Sequence, residues 1–173
     1  MARIPYPEAS DLEENIRKYL PREQGLNILK MMCRAGNIVD RFSKLGFGLL
    51  VETTLDPVLR ELAILRVGHA SGAAYEITHH ERIIRRMGVG EEKIRAIGED
   101  PTSDLFSDTE QLVLTITDEV IHTVKMSDDH FKKIHEVLSY REVMELVMTI
   151  EYYMMACRFL ENYEIDMEEP HKG

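Results

Sequence analysis

Residues 55–83 read LDPVLRELAILRVGHASGAAYEITHHERI, and this stretch contains clear signals for where helices begin and end. The Asp-Pro pair at 56–57 is typical of a helix start, because aspartate caps free backbone amides and proline at the first helical position gives up no hydrogen bond. Gly72 indicates a break, after which a second helix is predicted to begin near Ala73. Gly88 stands where glycine commonly ends a helix. The stretch therefore predicts two helices joined by a tight turn.

The same signals continue on both sides of this stretch. Apolar residues recur every three or four residues, and two capping boxes begin at Ser107 and Ser139. No segment keeps the alternation of apolar and polar residues that is typical of a strand. Helices are predicted at 11–20, 23–34, 36–53, 58–67 after the start at Asp56-Pro57, 73–87, 90–97, from 107, 127–138 and 140–163. The prediction is an all-α, single-domain helical bundle over 1–173, divided into a helical cover at 1–53, a motif core at 54–100, C-terminal helices at 101–165 and a loose tail at 166–173.

Composition limits the classes of partner. The chain has 173 residues, of which 44% are hydrophobic and 30% charged, which suits one globular domain with a real core. Its formal charge of −10 repels phosphate backbones and anionic lipids, so nucleic acid and membrane partners are not expected. The first residues do not resemble a signal or transit peptide, and the two cysteines form no redox or zinc motif. A cytoplasmic location is expected.

The most apolar long segment lies at 143–160. It approaches the length of a membrane span but contains Glu145, Glu151 and Arg158, which lipid would not tolerate. This segment is therefore interpreted as a buried or oligomer-forming helix.

A candidate site lies in the second helix of the quoted stretch. Ala73, Glu76 and His80 fall on one stripe of this helix, and Tyr75 and His79 lie on the adjoining stripe. A carboxylate and an imidazole one turn apart can share a proton, and partial burial moves their pKa values toward the working range. The spacing therefore suits acid-base chemistry.

Two other interpretations of these residues stay open. Residues 79–82 could form an ordinary solvated helix face. Glu76 and His80 also stand at metal-ligand spacing, with His69 or Glu61 as a third group, although the chain has no HExxH pattern.

The quoted stretch resembles the core motif of the carboxymuconolactone decarboxylase family, which includes alkyl hydroperoxidase D. The resemblance extends in weaker form to LNILKMMCRAGNIVDRFSKLGFGLL at 26–50, LFSDTEQLVLTITDEV at 105–120 and YYMMACRFLENYEI at 152–165. It implies an all-helical domain of the alkyl hydroperoxidase D-like type that forms a homo-oligomer, a trimer or hexamer. It also implies a pocket near the motif helix and the subunit contacts.

The resemblance also locates positions of chemical interest. In the peroxidase branch, two cysteines separated by two residues precede a histidine by four, and an upstream glutamate relays protons to that histidine. These positions correspond here to Ala73, Glu76, His80 and Glu61. Because both thiols are missing, the thiolate and disulfide that peroxide reduction requires cannot form, and no peroxidase activity is expected.

The expected function is a cofactor-independent lyase or isomerase, without a bound metal, that acts on a small oxygenated acid or lactone. His80 would shuttle a proton, Glu76 would orient or charge it, and Glu61 would be the relay behind them. Tyr75 or His79 would donate to the substrate oxygen. The alternatives are a non-catalytic ligand-binding or assembly protein that lost the family's thiols, and a metal-dependent enzyme that uses Glu76 and His80.

Overall fold

The computed structural model describes residues 1–20 and 25–168. In these ranges the chain is helical, with 3-10 turns at Ala9–Asp11 and Cys33–Ala35 and no strand. The α-helices are α1 (Glu14–Arg17), α2 (Asn27–Met32), α3 (Ile38–Val51), α4 (Pro57–Ser71), α5 (Ala74–Arg86), α6 (Glu91–Glu99), α7 (Asp108–Thr123), α8 (Asp128–His135) and α9 (Tyr140–Tyr163). The all-α prediction is confirmed. No helix within the described ranges combines the length and the apolar character that crossing a bilayer requires.

The N-terminal region departs from the sequence prediction. In place of one helix over 11–20, the chain makes a 3-10 turn, an extended Leu12 and the single turn α1. Leu12 is buried in this extended conformation, and one helical turn is too short to gain much from its own hydrogen bonds. The predicted start of the next helix at Glu23 lies outside the described residues.

The chain divides into two compact units. The first comprises Met1–Gly48 and Phe159–Gly173. In this unit the backbone amide of Asn27 donates to Glu168 at 2.8 Å, and its side-chain amide donates to the carbonyl of Asp166 at 3.0 Å. Residues 166–168 are thus attached to the N-terminal segment rather than loose, and residues 169–173 of the predicted tail lie outside the described ranges.

The second unit, Leu49–Arg158, is built around α4. Nine of its fifteen residues are buried, and it packs against α5, α6 and α7. Asp56 caps its start by accepting from the amides of Val58 and Leu59, and Gly72 ends it in the left-handed conformation, with φ of 65°. The tight turn at Gly72 brings α5 directly back against α4, and this arrangement positions the candidate site.

The half-buried charge of Arg66 on α4 has partners on two neighbouring helices. Arg66 makes a two-point ion pair with Asp118 of α7, at 2.7 and 3.0 Å, and donates to the carbonyl of Ile97 at 3.0 Å. One guanidinium therefore links α4 to α6 and α7.

Candidate functional site

The turn between α4 and α5 brings three ionisable side chains together. Nδ1 of His80 lies 2.6 Å from Oε2 of Glu61, and Nε2 of the same ring lies 3.3 Å from Oε2 of Glu76. Glu61 belongs to α4, whereas Glu76 and His80 lie one turn apart on α5. The imidazole therefore stands between two carboxylates, one at each nitrogen.

Burial sets the electrostatics of this cluster. Glu61 has no exposed surface, and Glu76 and His80 are 6% and 5% exposed. Burial alone lowers the pKa of His80, but the hydrogen bonds and charges of Glu61 and Glu76 outweigh it and raise the pKa to about 9. At neutral pH the ring is therefore an imidazolium, which donates from Nδ1 to Glu61 and faces Glu76 with its Nε2 proton.

Two aromatic residues of the final helix, α9, lie next to the cluster. The ring of Tyr153 meets His80 edge to face, with centroids 4.9 Å apart, and Tyr152 lies beside Tyr153 at 5.3 Å. Burial raises the pKa of both tyrosines above the usual value, and the nearby charge of Glu76 adds to the effect. Both phenols therefore stay protonated and neutral next to the charged ring.

A second cation stands behind Glu61. Arg60 is 7% exposed, and its Nε lies 3.6 Å from Oε1 of Glu61, which is an ion pair but too long for a hydrogen bond. Neither of these two buried atoms has a hydrogen-bond partner among the described residues. The cluster thus contains two carboxylates and two cations.

The remaining candidates from the sequence lie on the same helix. Tyr75 is buried and His79 is half-buried, and their rings contact each other with centroids 4.6 Å apart. Ala73, which the sequence resemblance matches to a thiol of the peroxidase branch, is fully buried. The structure thus brings Glu61, Glu76 and His80 into direct contact and pairs Tyr75 with His79.

The geometry bears on the metal interpretation. Because Glu61 and Glu76 approach opposite nitrogens of one ring, their oxygens do not converge on a common point with it. Among the described residues, no group of three His, Cys, Asp or Glu side chains is placed to hold a metal ion. The other candidate ligand, His69, packs against α6, where a Cβ at Gly98 would lie 2.5 Å from its Nδ1.

Sequence reasoning did not assign Arg60, Tyr152 and Tyr153 to the site. The sequence does indicate Arg60, because a charged residue inside an otherwise apolar helix requires a partner. It does not indicate the tyrosines, because apolar and aromatic residues occur on most faces of α9 and no spacing distinguishes the tyrosine that contacts His80.

Solved structures share this fold. A structure described as an alkylhydroperoxidase AhpD core, an uncharacterized peroxidase-related protein from Ralstonia eutropha JMP134, has a TM-score of 0.81 at 14% identity, over 99% of this chain and 93% of that chain. An uncharacterized peroxidase-related protein from Silicibacter sp. TM1040 has a TM-score of 0.81 at 13% identity, over 95% and 91%. The debrominase Bmp8, as a cysteine-to-alanine variant in complex with 2,3,4-tribromopyrrole, has a TM-score of 0.74 at 18% identity, over 97% and 95%.

At these identities the likeness establishes the fold alone, as one all-helical domain of the alkylhydroperoxidase D-like type. No curated protein sequence matches the chain significantly. The model of the carboxymuconolactone decarboxylase family matches residues 37–119, a segment that contains Glu61, Glu76 and His80. This segment, just under half of the chain, matches the carboxymuconolactone decarboxylase family, which confirms the resemblance in its sequence.

Proposed function

We propose that this chain is a cofactor-independent enzyme, a lyase or isomerase, that transfers protons on a small oxygenated carboxylic acid or lactone. The observation that carries the proposal is the buried line from Glu61 through His80 to Glu76, with contacts of 2.6 and 3.3 Å. A buried histidine with a raised pKa, in direct contact with carboxylates, is typical of sites that perform acid-base chemistry.

The roles follow from the protonation state. With a pKa of about 9, His80 is an acid at neutral pH and delivers a proton rather than removing one. Its Nδ1 proton is held tightly by Glu61 at 2.6 Å, whereas its Nε2 proton faces Glu76 at 3.3 Å. The Nε2 proton is therefore the one delivered, Glu76 is the base beside the substrate, and Glu61 keeps the ring oriented and charged.

In the lyase step, the bond between a carbon and its carboxylate breaks, carbon dioxide leaves, and the electron pair moves into a conjugated carbonyl to form an enolate. The enolate carbon then takes the Nε2 proton of His80, and the imidazole regains a proton from solvent. For an isomerase step, Glu76 removes a proton from one carbon, His80 gives its Nε2 proton to another carbon, and the proton on Glu76 then restores the imidazolium. The sequence candidates Tyr75 and His79 are proposed to donate to the enolate oxygen.

Thiol chemistry is not part of the proposal. The debrominase and the peroxidase-related proteins share only the fold with this chain, and Ala73 and Glu76 stand where the peroxidase branch carries its cysteines. The chain's own cysteines, Cys33 and Cys157, are buried. A cytoplasmic location, expected from the sequence, is also part of this proposal.

The experiment compares Glu76→Gln and His80→Asn with the wild type on a panel of unsaturated lactone acids. Carbon dioxide release and loss of ultraviolet absorbance report turnover, and circular dichroism reports folding. Because a positioned acid or base contributes about 10²–10⁴-fold, each variant is expected to lose activity to that extent while it stays folded. The matched controls are Glu92→Gln and His122→Asn, at exposed positions, which should keep wild-type rates.

Full turnover by the folded variants would contradict the acid-base roles. If the wild type binds members of the panel but converts none, the protein is a ligand-binding protein and not an enzyme. If a chelator removes activity, the enzyme is metal-dependent.

Self-association is also part of the proposal. On α9, exposed Tyr140, Met144 and Met148 follow one another at intervals of four residues. Their stripe borders a groove of about 700 Å³ between α7, α8 and α9, where Phe131 of α8 is also exposed. Exposed apolar surface of this kind is typical of protein contacts, which supports the expected trimer or hexamer.

A further inference from the structure

The guanidinium of Arg60 is the part of the site that the proposed proton transfer does not use. It carries five N–H donors, and its buried Nε makes no hydrogen bond to any residue in the described ranges. Within these ranges its only ionic partner is Glu61, at 3.6 Å from Nε, and the side chain is more than nine-tenths buried. A buried donor without an acceptor costs free energy, so such a group indicates a ligand that supplies the acceptor.

We propose that Arg60 is the specificity-determining residue of this site and binds a carboxylate of the ligand; this inference rests on the proposed function. A carboxylate presents two acceptor oxygens in a plane, which matches the planar fork of a guanidinium. The neutral oxygens of a lactone ring or an amide form weaker, uncharged contacts. Arg60 therefore selects anionic ligands over neutral ligands of the same shape.

The charge of the cluster permits an anion despite the chain's formal charge of −10. Two cations, Arg60 and protonated His80, stand against two carboxylates, Glu61 and Glu76. The buried cluster is therefore neutral, and an entering carboxylate meets no net local repulsion. Protonated His80, whose Nδ1 points at Glu61, would remain available to the rest of the ligand through Nε2.

This assignment also restricts the reaction. A guanidinium stabilises a bound carboxylate in its ionised ground state, which slows the loss of that same group as carbon dioxide. The carboxylate at Arg60 is therefore one that the product retains. A lyase substrate would then carry a second carboxylate, whereas an isomerase substrate needs only the one.

The test uses 2-furoate as probe and 2-furamide as its neutral counterpart, because the two differ in charge and hardly in shape. Binding is measured by calorimetry at millimolar ligand, with circular dichroism as the folding check. The variants are Arg60→Gln, which removes the charge, and Arg60→Lys, which keeps the charge but loses the planar fork. Arg95→Gln removes one charge at an exposed position and is the matched control.

We expect the wild type and Arg95→Gln to bind 2-furoate more tightly than 2-furamide. Arg60→Gln should lose about tenfold to a hundredfold in affinity for 2-furoate, with little change for 2-furamide, and Arg60→Lys should lie between. If Arg60→Gln does not fold, Arg60→Lys carries the test through its weakened preference for the anion.

Equal affinity of wild type and folded Arg60 variants for 2-furoate would overturn the assignment, as would no binding of 2-furoate to the wild type. The same titration on His80→Asn separates this inference from the proposed function. Retained 2-furoate binding with unchanged turnover in that variant would contradict the role of His80 and leave that of Arg60 intact.

Discussion

The position of one imidazole between two buried carboxylates is the feature on which the function depends. Sequence spacing placed Glu76 and His80 on one helix face, and resemblance added Glu61. The structure puts all three in contact, at 2.6 and 3.3 Å. Spacing along one helix could not supply the third partner, because Glu61 arrives from α4 through a turn whose angle depends on packing. The same limit applies to Tyr153, which reaches the ring from a helix more than sixty residues away.

The raised pKa of His80 has a consequence for stability. Because its folded pKa of about 9 lies above the unfolded value of 6.5, the charged ring stabilises the fold fully below pH 6.5, and this contribution is lost as pH rises through 9. The difference corresponds to at most roughly 3 kcal/mol. We expect the free energy of unfolding of the wild type to fall over this window relative to that of His80→Gln. Urea denaturation at several pH values measures it, and a pH-independent difference between the two proteins would contradict the charged ring.

Among the helices, local sequence signals predicted where helices begin and end, but they did not predict the course of the N-terminal segment. The boxes at Ser107 and Ser139 form, with Ser107 and Ser139 amides donating to Glu110 and Glu142 at 2.7 Å. Capping depends on residues within one turn, so sequence alone reveals it. The course of residues 11–20 depends instead on where Leu12 is buried, which no local pattern encodes.

Glu145 of α9 holds the segment that leads into α4. Its Oε2 accepts from the amides of Thr54 and Leu55 at 2.8 and 2.9 Å, and its Oε1 accepts from Arg141 at 2.7 Å. Burial raises the pKa of Glu145, but these hydrogen bonds outweigh it and the pKa lies below the usual value.

We expect Glu145→Ala to lower the free energy of unfolding by about 1–3 kcal/mol, because two backbone amides lose their acceptor. Glu151→Ala, on the exposed side of the same helix, is the control and should change stability little. Thermal denaturation followed by circular dichroism compares them. Equal midpoints for the two variants would show that Glu145 does not hold this segment.

For the whole molecule, composition predicted an acidic globular protein, and resemblance predicted its fold. Composition could not indicate which apolar residues stay exposed, because burial depends on how helices pack. Several exposed apolar side chains cluster on α9 and around the adjoining groove.

We expect Met144→Glu to dissociate the proposed oligomer, because it places a charge within the apolar stripe of α9. Leu105→Glu, at an exposed apolar position of a loop, is the control and should leave assembly unchanged. Light scattering coupled to size-exclusion chromatography reports the mass. A wild type that elutes as a monomer, or a Met144→Glu variant of unchanged mass, would contradict self-association through α9.

The proposed acid-base function requires that His80 is held as an imidazolium between Glu61 and Glu76, ready to deliver a proton. Nitrogen-15 NMR of the imidazole rings, with His80→Asn to assign the resonance, measures its titration directly. We expect both ring nitrogens of His80 to be protonated at pH 7 and the ring to titrate with a pKa of about 9. A neutral His80 at pH 7, with a pKa at or below 6.5, would show that the ring is not the proton donor proposed here.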